Sequence, residues 1–345
     1  MMQRINWIDW AKAIAVCSVV FCHLPQSQEW FYYRYMQATT ITVFFFISGY
    51  LKKDHGCQQA NWKRYWSGLI APYLLYNTIV YPYWFVRFYM QHGGMPDLFT
   101  AIKPIIGTIL LEHENSFAEP LNGSLWYLPA ILIMHLIIDC CRKTHYLHLI
   151  MVGLCILSYF LYAANKEYEF LPNLTPMGLF RRLPYYYIGY LMGQQKLFMS
   201  IKPSREIMLL FLCVTISLLL FQWHLQENRI LLHATLFYPV NIGLLVALLC
   251  FCKLLDRLHW SFITNLSIGT LVIIGLHAIP IGVINFVIEH QRGLSNCPGY
   301  QWNEALLITA IIVALLYPII LWSKNYAPVL IGKDHSSRYG TDQAK

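Results

Sequence analysis

The stretch Trp7–His23, "WIDWAKAIAVCSVVFCH", is apolar enough to lie in hydrocarbon, yet it carries Asp9 and Lys12 at one end and His23 at the other. Ionisable groups inside a membrane span are costly and rare, and they usually face a cavity or a pathway. Helical phase organises these three. Asp9 and Lys12 are three residues apart, close enough to pair on one face. Lys12 and His23 are eleven apart; at about 100° per residue that is three turns plus roughly 20°, so both point the same way, about 16 Å apart along the axis. Val16, Val19 and Val20 make the stripe between them apolar. Two bland readings stand beside a functional one: Lys12 snorkels to the interface, and His23 makes a packing hydrogen bond.

The rest of the chain decides that this helix lies in a membrane. Of 345 residues, 57% are hydrophobic and only 12% charged, where a soluble domain has roughly a quarter charged. Mean hydropathy is +0.45. Surplus apolar surface on that scale needs lipid as its solvent, and the 16% aromatic content fits Trp and Tyr gathered at two interfaces. The net charge of +8 is scattered over short loops, which argues for topology rather than a nucleic-acid footprint. The ten cysteines form no CxxC pair and no zinc spacing, so neither a disulfide framework nor a metal site is expected. No small-x-small cleavage site follows the first apolar run, which reads as a retained helix.

Apolar runs fall at about 8–24, 38–51, 66–86, 124–139, 147–164, 178–193, 207–222, 235–252, 266–288 and 304–322. They predict an all-α, polytopic bundle of about ten helices over residues 1–325, with 326–345 a polar, disordered tail. Even numbering puts both termini on one side. That side then holds sixteen Lys and Arg, from Arg4, Lys52, Lys63 and Arg64 to Arg142, Lys253, Lys324 and Lys333, and the other side holds eight. The asymmetry places both termini in the cytoplasm. Residues 87–123 form the longest outer loop, with Glu112, Glu114 and Glu119.

Other groups stand out inside or beside the spans. In "VFFFISGYLKK" (43–53), Ser48 and Gly49 let a neighbouring helix come close. In "NWKRYWSGLIAPYLLYN" (61–77), Lys63 and Arg64 sit at the cytoplasmic entry and Pro72 can kink the helix. "NGSLWYLPAILI" (122–133) puts Trp126 and Tyr127 at the outer interface, as an aromatic belt or as sugar-stacking rings, and Asn122–Ser124 spells a glycosylation sequon. Arg181 and Arg182, in "FRRLPYYYIGYLMG" (180–193), lie at an outer helix mouth against the charge trend, which favours a binding role. "SIGTLVIIGLHAIPI" (267–281) buries His277 near mid-membrane.

Taken in order, "IDWAKAIAVCSVVFCH", "FFFISGYL", "KRYWSGLIAPYL", "LWYLPA", "RRLPYYYIGYLMG" and "SIGTLVIIGLH" resemble the acyltransferase-3 family of integral membrane acyltransferases, many of which O-acetylate cell-surface polysaccharides. The basic residue of the first motif is often Arg in that family and is Lys12 here. An Arg common just before the Pro-Tyr of the third helix is absent, and Ser67 and Gly68 occupy that area. No soluble esterase-like domain follows the tenth run, so the membrane portion is expected to complete the transfer.

The resemblance implies an acetyl-CoA-dependent O-acyltransferase of a bacterial inner membrane. Acetyl-CoA, or another acyl-CoA, is the donor substrate rather than a bound cofactor. A glycan or lipid-linked sugar hydroxyl is the acceptor, with polysaccharide biosynthesis machinery as a partner. Lys12, Lys63 and Arg64 would meet the CoA phosphates. His23 would serve as general base or covalent nucleophile, with His277 as a second catalytic or orienting group and Asp9 holding Lys12. Trp126, Tyr127 and Arg182 would bind the acceptor. The rival from another class is a glycan transporter or flippase, which also uses buried charge and broken helices.

Overall fold

All ten apolar runs are helical in the computed structural model, which describes residues 4–25, 31–52, 58–111, 120–168, 175–195, 203–226, 230–292 and 299–333; among these residues the fold is all-α. The chain forms α1 (Asn6–His23), α2 (Phe31–Tyr50), α3 (Gln58–Tyr65), α4 (Ala71–His92), α5 (Leu98–Ile109), α6 (Tyr127–Cys141) and α7 (Leu147–Tyr168). It continues through α8 (Thr175–Gln195), α9 (Pro203–Gln226), α10 (Ile230–Leu254), α11 (Ser261–Ile268), α12 (Thr270–Leu276), α13 (Ala278–Arg292) and α14 (Trp302–Tyr326).

Helix α1 is the axis of the bundle, in contact with α2, α10, α11, α12 and α14. A surface helix buries one stripe; α1 buries Trp7, Ala11, Val16, Val20 and Phe21 and so is enclosed on most sides. Its first N–H groups have no helical acceptor. The Asp256 carboxylate accepts the Trp7 N–H at 2.8 Å, and the Asn6 amide donates to the Asp256 and Leu258 carbonyls.

Where prolines enter, the helices yield as their chemistry requires. Pro72 has no N–H and crowds the carbonyl four residues back. The chain answers with a π turn, Trp66–Ile70, in which the Ala71 N–H reaches the Trp66 carbonyl. Pro280 likewise interrupts the ninth run, in the turn just before it at His277. The continuous helix expected over 266–288 breaks at Gly269 and His277 into α11, α12 and α13, with a 41° bend between the last two. The long outer loop also needs correction. Asp97 accepts the Thr100 N–H at 3.1 Å and caps α5, which is strapped to α4 by Tyr81 and Tyr73 hydroxyls donating to the Ala101 and Thr108 carbonyls. The acidic residues Glu112, Glu114 and Glu119 lie outside the described residues, as does the tail beyond residue 333. The first residues of the expected tail are ordered: a 3-10 turn, Pro328–Ile331, buries Leu330 and Ile331 against the core.

By length and composition, four segments among the described residues can cross a membrane: Gly123–Cys141, Leu147–Ala164, Thr235–Arg257 and Trp302–Tyr326. The bent pair Thr270–Leu276 and Ala278–Gln291 makes a fifth. Their outward side chains, including Leu149, Ile156, Phe160, Leu307 and Leu315, are exposed and apolar, as lipid-facing positions are.

Candidate functional site

At the far end of α1 the His23 Nδ1–H donates to the Val19 carbonyl at 2.8 Å. A carbonyl only accepts, so this bond fixes the tautomer and leaves the lone pair on Nε2. The Ser124 hydroxyl faces that lone pair at 3.2 Å. His277 repeats the arrangement: its Nδ1–H lies 2.9 Å from the Ile274 carbonyl and 3.1 Å from that of Ile273. Its Nε2 is buried without a partner among the described residues. The two imidazoles meet edge to face, 4.7 Å between ring centroids. His277 is fully buried and His23 is exposed, so the pair joins the core to an opening.

Three local features assemble this cluster. The last turn of α1 supplies His23. The helix break before Pro280 supplies His277. A 3-10 turn, Gly123–Leu125, delivers Ser124 just before α6. The turn is pinned from below, because the buried Asn122 amide donates to the Gly275 carbonyl at 2.8 Å. That bond also removes Asn122 from use as a glycosylation site. Gly275 has no room for a side chain, since the Tyr76 ring lies against it, and the Tyr76 hydroxyl is itself held by the Leu330 carbonyl at 2.7 Å.

At the Lys12 end lies a cavity of about 300 Å³. Lys12, Lys52 and Arg64 line it, with Ser48, Tyr65, Gly68, Tyr127, Ile131, His135 and Thr270. Tyr127, Ile131 and His135 are one turn apart on α6, whose line continues through Ser124 towards His23. Lys12 makes no ion pair with Asp9. The Arg4 guanidinium takes the Asp9 carboxylate through two nitrogens, and the Ser267 hydroxyl donates to it at 2.6 Å. A planar fork matches a carboxylate better than an ammonium three residues away does. The Lys12 ammonium is left facing the cavity, with the charges of Asp9, Arg4 and Lys333 acting on it. Beyond α14, burial and the neighbouring Arg4 and Lys324 hold the Lys333 ammonium below the usual lysine range. Cations crowd this end.

The remaining expected residues separate. Lys63 is exposed and is not among the cavity's lining residues, unlike its neighbour Arg64. Tyr127 is buried and faces the Lys12 cavity, while Trp126 is half-buried with its ring 5.8 Å from that of Phe45. Arg182 is buried, donating to the Thr42 hydroxyl at 2.8 Å and lying 5.5 Å over the Phe237 ring. These three residues do not line one surface.

One group escaped the sequence reading. Lys52 pairs with Asp139 at 2.8 Å and donates to the Tyr65 hydroxyl, which in turn donates to Asp139. His135 stacks on Tyr65 and is bonded to the Tyr186 hydroxyl at 2.6 Å. The network forms the floor of the cavity. Its signal was present, since Asp139 is an ionisable residue at the end of an apolar run and Lys52 closes another.

The helix bundle thus carries a histidine pair at one end and a basic cavity at the other. The chain belongs to the acyltransferase-3 family: the family model, described as an acyltransferase domain, matches residues 5–324. No match was found among curated proteins or solved structures. The protein is thus an acyltransferase of this family, with apolar helices that suit a membrane protein.

Proposed function

We propose that this acyltransferase moves an acetyl or similar short acyl group from cytoplasmic acyl-CoA to a hydroxyl of a cell-surface polysaccharide or its lipid-linked precursor. In this reading the chain spans a bacterial inner membrane ten times as a single domain over 1–325, with both termini inside. Lys12 and Arg64 in the cavity hold the donor's phosphates, with Lys63, beside Arg64 in sequence, adding positive charge on the exposed side. The observation that carries the reading is the free Nε2 lone pair of His23, facing a hydroxyl at 3.2 Å and standing about 16 Å along one helix from Lys12. An extended pantetheine arm covers that distance.

His23 takes the proton of the attacking hydroxyl, a role worth about 10² to 10⁴ in rate. His277 packs against its ring and keeps it in place. Asp9, gripped by Arg4 and Ser267, orders the end of α1 from which Lys12 projects. Trp126, two residues from Ser124, offers a ring for the acceptor to stack on. Tyr127 contributes as the wall of the cavity, and Arg182 ties α8 to α2 through the Thr42 hydroxyl.

The test uses liposomes holding the pure protein, acetyl-labelled CoA and candidate glycans. Wild-type protein transfers label to glycan, and His23→Ala reduces the rate by at least about a hundredfold. Glycan crossing the bilayer without label transfer would favour the transporter instead.

A further inference from the structure

We infer that Ser124 is a covalent relay for the acyl group, so that transfer proceeds through an acyl-serine. This rests on the acyl-CoA reading above and adds a catalytic residue to it. The hydroxyls of this chain's helices mostly spend their proton on their own backbone: Ser18 on Ile14, Thr40 on Met36, Ser158 on Leu154 and Thr309 on Ala305. Such back-bonding is their ordinary fate in a helix. Ser124 departs from it. Its hydroxyl is turned instead to an imidazole nitrogen 101 residues away in sequence.

The imidazole is oriented in turn by the Val19 carbonyl at Nδ1. Nucleophile, base and orienting acceptor thus stand in the order that activates a serine, with a backbone carbonyl in the carboxylate's place. A neutral acceptor makes a weaker base than a carboxylate does, which suits an activated thioester. The Asn122 bond to Gly275 holds the turn that carries Ser124 onto the same helix that ends at His277.

The chemistry balances in two steps. Ser124 Oγ attacks the thioester carbonyl while His23 Nε2 takes the serine proton. The C–S bond breaks, and the imidazolium returns the proton to the sulfur, releasing CoA as thiol and leaving an ester on Ser124. The acceptor hydroxyl then attacks that ester and gives its proton to His23. The C–O bond to Ser124 breaks, and the serine recovers the proton. The relay lets donor and acceptor approach from opposite ends of α1 without meeting.

The experiment incubates the full chain in detergent with labelled acetyl-CoA or succinyl-CoA and no acceptor, then maps the label by peptide mass spectrometry. The relay predicts near-stoichiometric label on the peptide bearing Ser124. Ser124→Ala loses the label and at least about a hundredfold in transfer while still binding CoA, which shows that it folds. Ser124→Cys carries the label as a thioester released by neutral hydroxylamine. Wild-type transfer with no label on Ser124, label on His23 instead, or Ser124→Ala transferring within threefold of wild type would each overturn the relay and leave the acyltransferase reading intact. Wild-type protein that transfers nothing from either donor to any glycan would remove both.

Discussion

Lys52, Tyr65 and Asp139 show what one buried charge does at the scale of a residue. Asp139 accepts from Tyr65 and pairs with Lys52, while Arg142 stands 3.8 Å away. Removing one member leaves the others desolvated and uncompensated, which costs about 3 kcal/mol or more. Asp139→Ala is therefore expected to lower the melting temperature in detergent by several degrees, with Lys52→Met/Asp139→Leu milder because no lone charge remains. Lys12 answers to a different measurement. Among the described residues its ammonium has no ion-pair partner, and it lines the cavity, so Lys12→Ala should raise the KM for acyl-CoA about tenfold or more with little change in melting temperature, and Lys12→Arg should restore most of it. An unchanged KM removes Lys12 from the donor site. These residues also mark how far the site could be read in advance. Helical phase alone aligned Lys12 with His23, because both lie on one regular element. The capture of Asp9 by Arg4 and Ser267, and of His23 by Ser124, depended on contacts spanning 5, 258 and 101 residues, and no local period encodes them.

At the scale of elements, α2 and α8 meet along a seam of glycines. A Cβ at Gly49 would overlap the Tyr186 carbonyl, and one at Gly189 or Gly193 would overlap the carbonyls of Phe46 or Tyr50. In a bilayer, where lipid competes for every apolar surface, such backbone contact is the main source of helix association. Gly189→Leu should force the pair apart and yield protein that aggregates on detergent extraction, whereas Gly153→Leu, on an open face of α7, should extract normally. The closeness of this seam was legible at Gly49, because a small residue in an apolar run has few other uses. The break in the ninth run was less so. Its apolar character runs on without interruption, and only Pro280 signals that the helix must part before it. Helix α5 was missed for another reason: at twelve residues it is too short to register as a span, and it lies along α4 rather than beside it as a further crossing.

At the scale of the whole molecule, the helices give the bundle a polarity that bears directly on where the proposed acyl-CoA donor would enter. Lys12, Lys52 and Arg64 line one cavity. Arg142 stands beside Asp139 on its floor, Lys324 donates to Asn265 at 3.2 Å, and Lys333 is close to Arg4. The opposite end carries His23 and the start of α14, where the Tyr300 N–H reaches the Pro25 carbonyl at 2.8 Å. Cations in short loops stay on the cytoplasmic side, so the crowded end should face the cytoplasm and the histidine pair the other compartment. Tags placed before Arg4 and after Lys333 should therefore be reached by a protease only after cells are opened. A tag inserted at Gly94, in the exposed turn after α4, should be cut in spheroplasts. If the termini proved accessible from outside, Lys12 and Arg64 would face a compartment that holds no acyl-CoA. The donor assignment would then fail, whatever His23 does in a detergent assay.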